Sequence, residues 1–209
     1  MELTAEKFAQ GMTTTQYIDY IKVNKEPFIQ IHDNTEIPAA VLEYFDGLDQ
    51  PVNLTVFTSD WCGDAMSTTP AILRLADASE NIRLSVFSRD DELDLTNSFL
   101  PEHRAGTVPV FVVMDSNMSE IARFIETART LVPAIDAMDD MVAQAAAAVS
   151  DEAEGRQVAR GRRTAYRVNK AGEWGAVILS EFQQLVADGM ARPPAERPAE
   201  GGTQWPPQD

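Results

Sequence analysis

The 209-residue chain has a single cysteine, Cys62, and only two histidines, His32 and His103. An intrachain disulfide is excluded, and a zinc site built from Cys and His has too few ligands to form. Basic residues are scarce as well: 17 Lys+Arg stand against 33 Asp+Glu, a formal net charge of -16. Phosphate contacts need a basic surface, so nucleic acid is not an expected partner. No apolar run approaches the roughly 18 residues of a membrane span, so no membrane partner is expected either. The start, Met1-Glu2-Leu3-Thr4-Ala5-Glu6-Lys7, lacks a basic region followed by an apolar stretch. It does not read as a signal peptide, and the expected compartment is the cytoplasm. Also missing are G-x-G-x-x-G, G-x-x-x-x-G-K-[ST] and G-x-S-x-G, which removes the common nucleotide-binding and serine-hydrolase signatures. The acidic clusters Asp90-Asp91-Glu92 and Asp139-Asp140 read as helix termini and solvated faces. No metal and no cofactor are expected.

What is present suits a soluble globular chain, with 44% apolar and 24% charged residues. The length fits one domain, or one domain with an appendage. Charge is uneven along it. Residues 1–154 hold 9 Lys+Arg and 27 Asp+Glu, whereas residues 155–209 hold 8 and 6. Six of those basic residues fall between Arg156 and Lys170. Two readings stay open: a docking surface for an anionic partner, or a solvated face that neutralises the acidic body.

Hydrophobic periodicity divides the chain. Residues 1–50 read as a helical extension, with Tyr17, Ile18, Ile21 and Phe28 near helical spacing behind the capping hydroxyls of Thr13-Thr14-Thr15. A second helix is expected from Pro38 to Phe45. Residues 51–150 change character. Leu54 to Thr58 is a short β-branched, apolar run, the mark of a buried strand. A helix carrying Ile72, Leu73, Leu75 and Ala76 follows, then a strand from Asn81 to Phe87. Next come an acidic-ended helix from Asp91 to Leu100, strands at 108–114 and 119–125 with a turn at Asp115-Ser116-Asn117, and a helix from Leu131 to about Ser150. That order predicts an α/β fold, a mixed sheet flanked by helices. Residues 151–190 supply the basic segment and a helix whose stripe of Trp174, Ile178, Phe182 and Leu185 must pack on the body. Residues 191–209, rich in proline and without periodicity, read as a disordered tail.

The chemistry concentrates at Trp61-Cys62-Gly63-Asp64-Ala65. A cysteine between a buried strand and a helix sits where backbone N–H groups converge, and the positive helix terminus favours the nucleophilic thiolate. Gly63 leaves room for a partner to approach the sulfur, and Trp61 offers a flat contact. The bland alternative is a structural cysteine, inert in its packing.

The strand before Trp61-Cys62-Gly63, with Thr107-Val108-Pro109 about 45 residues later and ahead of another strand, resembles the thioredoxin superfamily over residues 50–150. The flanking extensions resemble a bacterial subgroup of thioredoxin-like proteins. The resemblance implies a catalytic Cys62 and a substrate-binding surface of Trp61, Gly63, Asp64, Thr107, Val108 and Pro109. It also implies a cis bond before Pro109 that bares the Val108 backbone for an extended substrate strand. Three positions depart from the family pattern. Ala65 stands where a resolving cysteine would be. Val56 stands six residues before Cys62, where many thioredoxins carry a buried acid. Asp64 replaces a common proline and opposes thiolate formation.

These residues leave a monothiol reading: Cys62 forms a mixed disulfide with a small thiol, or with a protein cysteine beside Val108, and an external thiol releases it. The alternatives are a non-catalytic binding module on the same surface and a redox sensor.

Overall fold

The computed structural model describes residues 2–203. Four helices lead: α1 (Ala5–Phe8), α2 (Thr14–Tyr20), α3 (Lys25–Asn34) and α4 (Ala39–Asp46). Thr13 caps α2 through a reciprocal box with Gln16, at 3.3 Å and 2.8 Å. The helix expected to run from Tyr17 through Phe28 is broken after Ile21, and Asn24 adopts a left-handed φ of 58°. Phe28 therefore lies on α3, yet its ring still meets Tyr17 edge-on at 5.6 Å.

The sheet begins with β1 (Val52–Thr58), followed by α5 (Gly63–Ala78), β2 (Ile82–Ser88) and the short α6 (Leu93–Asn97). The hairpin β3 (Val110–Met114) and β4 (Glu120–Ile125) comes next, then α7 (Val132–Ala147), α8 (Glu152–Asn169), α9 (Ala171–Ala191) and β5 (Ala199–Gly202). Strand order is β2-β1-β3-β4-β5. β2 runs parallel to β1, β3 antiparallel to β1 and to β4, and β5 parallel to β4. The hairpin turn is held by the Asp115 carboxylate, which accepts from the amides of Asn117 (2.8 Å) and Ser119 (3.0 Å).

All seven residues of β1 are buried, because both sheet faces are covered. Period-2 alternation splits its side chains: Leu54 and Val56 join one apolar cluster with Ile72, Phe111 and Phe182, and Phe57 joins another with Leu95 and Phe99. The first cluster also takes in Tyr17 and Phe45 from the N-terminal helices. α9 buries Trp174, Ile178 and Phe182, whereas Leu185 is only half-buried and Val186 takes the core position. Phe182 is central, with ring centroids 6.0 Å from Phe45 and 5.8 Å from Phe124. Gly189 lets α9 lie against β4, since a Cβ there would be 2.3 Å from the Ile121 carbonyl oxygen.

The expectation of a disordered tail over residues 191–209 is corrected. Pro194–Glu196 forms a 3₁₀ turn and Ala199–Gly202 adds the edge strand β5, in register from Ala122↔Ala199 to Ile125↔Gly202. Ala199 is fully buried, and Glu200 pairs with Arg123 at 3.0 Å. The strand covers a β4 edge that would otherwise offer unpaired backbone groups. The remainder of that expectation, residues 204–209, lies outside the described residues. The basic segment forms most of α8, capped by the Asp151 carboxylate, which accepts from the Glu154 amide at 2.8 Å.

Candidate functional site

β1 ends at Thr58, and the turn Ser59–Trp61 carries the chain to Cys62, the N-cap of α5. Cys62 has extended backbone (φ −83°, ψ 131°), and its carbonyl accepts the first helical bond from Met66 N at 3.0 Å. The partly buried sulfur therefore faces the first turn of a helix, where amide donors have no intrahelical acceptor. From the other side, the thiol donates to the carbonyl oxygen of Val108 at 3.5 Å. Val108 and Pro109 are buried, Thr107 is half-buried, and the Val108–Pro109 peptide bond is cis. The structure thus brings Cys62, Gly63, Asp64 and Val108-Pro109 together at the carboxyl end of β1.

The thiol is pulled in both directions. Burial pushes it up from its ordinary value, and the Asp64 carboxylate adds to that. The amides of Ala65 and Asp64 and the guanidinium of Arg167 favour the thiolate and work against the rise, without cancelling it. Val56 below the site is fully buried and apolar, so no acid occupies that position of β1.

Arg167 is the residue that sequence reasoning missed. It comes from α8, more than 100 residues after Cys62, and is only 4% exposed. Its Nη1 donates to the Gly63 carbonyl at 2.7 Å and the Ser67 hydroxyl at 2.8 Å, and its Nη2 to Asp64 at 3.3 Å. Its Nε is buried with no hydrogen-bond partner among the described residues. Gly63 has a role beyond access to the sulfur: a Cβ there would stand 3.2 Å from Arg167 Nη2. The hint in the sequence was an arginine within the basic segment, whose two readings, docking surface or solvated face, both put it on the exterior.

Trp61 is half exposed, at 51%. Its indole Nε1 donates to Asp90 at 2.9 Å, and the Arg89 guanidinium lies 5.0 Å from the ring centroid. On the far side of Pro109, its carbonyl accepts from Glu126 N at 2.7 Å. Glu126, a second residue not foreseen, binds Arg104 at 3.0 Å and receives a hydrogen bond from Thr203. Burial pushes its carboxyl up from the usual range.

The acidic clusters have partners of their own. Asp91 accepts from the Tyr20 hydroxyl at 2.8 Å, Glu92 pairs with Lys7 at 2.5 Å, and Asp139 pairs with Arg163 at 2.8 Å. Among the described residues, no group of three or more His, Cys, Asp or Glu side chains gathers as a metal site would require. Likewise, no described helix is long and apolar enough to cross a membrane.

Two solved structures share the fold. A protein of unknown function from Pseudomonas aeruginosa is 17% identical with a TM-score of 0.60, covering 91% of this chain and 100% of its own. An HIV epitope-scaffold is also 17% identical, with a TM-score of 0.61 and coverage of 90% and 99%. No curated protein matches the chain. The thioredoxin family model matches residues 11–141, a span that holds Cys62, the Val108-Pro109 turn and four of the five strands. The chain belongs to the thioredoxin family.

Proposed function

We propose that Cys62 carries out thiol–disulfide exchange as a single thiol. The observation that supports this best is the sulfur's seat at the start of α5, facing the helix amides and 3.5 Å from the Val108 carbonyl. The step is a displacement. The Cys62 thiol loses its proton to solvent, the thiolate attacks one sulfur of a disulfide, and the departing sulfur leaves with the electron pair and takes up a proton. Cys62 ends oxidised in a mixed disulfide, and one half of the partner ends as a reduced thiol. Ala65 provides no second sulfur, so an external thiol must release the adduct. Trp61 and the Thr107-Val108-Pro109 turn flank the sulfur and form the contact surface for the small thiol or cysteine-bearing protein. Such chemistry suits the reducing cytoplasm, where thiols stay free.

The raised thiol favours a second reading, a thioredoxin-fold binding module that uses the same surface without covalent chemistry. Incubation with 2-hydroxyethyl disulfide at several pH values, followed by intact-mass measurement, separates the two. Exchange predicts an adduct that Cys62→Ser abolishes and that forms faster as pH rises beyond the ordinary thiol range. Absence of any adduct at alkaline pH, with the fold intact, sinks the exchange reading and leaves the binding module.

A further inference from the structure

Beside the Cys62 turn, a groove of roughly 600 Å³ opens toward α8. Trp61, Gly63 and Met66 form its wall on the cysteine side, and Arg156, Arg160 and Arg163 line it from the helix. Three guanidinium groups in one groove are unusual on a chain of net charge -16. Arg156 is tied to Glu152 at 2.5 Å, a residue that is itself 90% exposed, and Arg163 to Asp139 at 2.8 Å. Arg160 is exposed and has no ion pair among the described residues. The acids nearest the sulfur turn elsewhere. Asp64 binds Arg167, Asp60 accepts the amides of Lys22 and Val23, and Asp90 accepts the Trp61 indole N–H. Among the described residues the groove's lining holds no acid, but Glu152 and Asp139 neutralise Arg156 and Arg163 and Glu26 lines the adjoining pocket with Arg160, so the unpaired charge in the groove is that of Arg160, beside a wall that reaches the residues on either side of Cys62.

We propose that this groove seats a carboxylate-bearing arm of the small disulfide that Cys62 attacks, with Arg160 as the main charge partner. The proposal rests on the exchange reading and names its substrate class. Helix geometry gives the spacing of the arginines. Arg167 touches Gly63 at the sulfur's own turn, Arg163 lies one turn back, and Arg160 about 10 Å back along the axis at 1.5 Å per residue. Arg160 is thus set back along α8 from the turn that holds the sulfur, so the proposal takes an extended arm, for which a six-carbon chain is the probe. In the exchange step itself, the Cys62 Sγ bonds to the near sulfur, the disulfide bond breaks, and the far half leaves as a thiolate that solvent protonates. The arm on the near sulfur stays in the groove. The overall negative field of the protein repels anions, so a preference for an anionic disulfide can come only from a local source.

The test compares the disulfides of 6-mercaptohexanoate, 6-mercaptohexanol and 6-aminohexanethiol, equal in length and different in charge. Rates of Cys62 adduct formation are read by intact mass at low and high salt. The expected result is a rate about tenfold higher for the hexanoate disulfide than for the amine at low salt, shrinking as salt screens the groove. Arg160→Glu should reduce that ratio to about one or below. Arg83→Glu, the same charge change at the opposite end of β2 from the site, should leave the ratio in place. If the hexanol disulfide reacts but wild type shows no anionic preference, or if Arg83→Glu lowers the ratio as much as Arg160→Glu, the groove assignment is overturned while exchange stands. Binding of the unreactive thioether 6-(methylthio)hexanoate, followed by NMR, reads the groove without any reaction at sulfur. Binding that Arg160→Glu weakens sustains the groove even where no adduct forms, and no binding to wild type overturns it.

Discussion

Arg167 Nη1 donates to the carbonyl oxygen of Gly63 at 2.7 Å across 104 residues of sequence. Through this bond the helix outside the matched family span reaches the residue next to Cys62. α8 is thereby part of the site's foundation as well as a wall of its groove.

Replacing Arg167 with Met should destabilise the fold and make the thiol harder to ionise. The Gly63 carbonyl and the Ser67 hydroxyl would lose their buried donor, at about 1–3 kcal/mol for each unpaired group. The thiol would rise further without the guanidinium that favours the thiolate. Urea denaturation should show the first effect, and a shift of the Cys62 alkylation curve to higher pH the second. An unchanged alkylation curve would separate Arg167 from the sulfur's electrostatics.

Asp64→Asn should move the same curve the opposite way. Its carboxylate is one of the groups that raises the thiol, and Arg167 keeps two other partners when it is gone. The expected outcome is a larger thiolate fraction at a given pH and faster reaction with iodoacetamide near neutrality. No change, or a slower reaction, would contradict the sign assigned to Asp64.

Ala65→Cys should favour reduction of protein disulfides. Position 65 is buried in the first turn of α5, three residues from Cys62, where a second thiol could attack a mixed disulfide at high effective concentration. Wild type should scarcely reduce insulin disulfides in a turbidity assay, and the variant should reduce them measurably. Reduction by wild type at the rate of a two-cysteine enzyme would refute the monothiol mechanism.

His32 makes stability depend on pH. Its Nε2 lies 3.3 Å from Asp77 and its Nδ1 3.0 Å from Asp33, and Asp77 is itself fixed by the Thr14 hydroxyl at 2.7 Å. The hydrogen bond to Asp77 raises the His32 pKa, against the lowering effect of burial. The protonated imidazole therefore stabilises the fold fully below its unfolded pKa of about 6.5, and that stabilisation fades as pH rises through the higher folded value. The stability gap between wild type and His32→Gln should be wide in mild acid and narrow in mild alkali. A gap that widens with rising pH would reverse the assignment.

Ending the chain at Pro198 removes β5 and bares the β4 edge. Ala199 loses its buried place and the Arg123–Glu200 pair goes with it. The truncated protein should unfold at lower urea and associate as its concentration rises, as seen by size-exclusion chromatography. A monomeric truncation of unchanged stability would show β5 to be dispensable.

The local features were legible in the sequence because each is written within a few adjacent residues. β1 is a β-branched run, Thr13-Thr14-Thr15 supplies a capping hydroxyl, and Asp115-Ser116-Asn117 spells a turn. Trp61-Cys62-Gly63 and Thr107-Val108-Pro109 marked the two segments that meet at the sulfur, and alternation of strands and helices gave the mixed sheet. What the tertiary structure alone decided depends on partners far apart in the chain. Ala-Glu-Gly-Gly carries no strand pattern, since its pairing comes from the backbone of β4 and not from its own side chains. Arg167 looks like its neighbours in a basic run, and only the approach of α8 to α5 withdraws it from solvent and leaves Arg160 facing the groove. Glu126 finds Arg104 when the turn at Glu102–Arg104 packs beside the end of β4, and Thr203 only once β5 joins the sheet. Periodicity records which face of an element is buried, whereas the identity of the group across that face is fixed only when the elements pack.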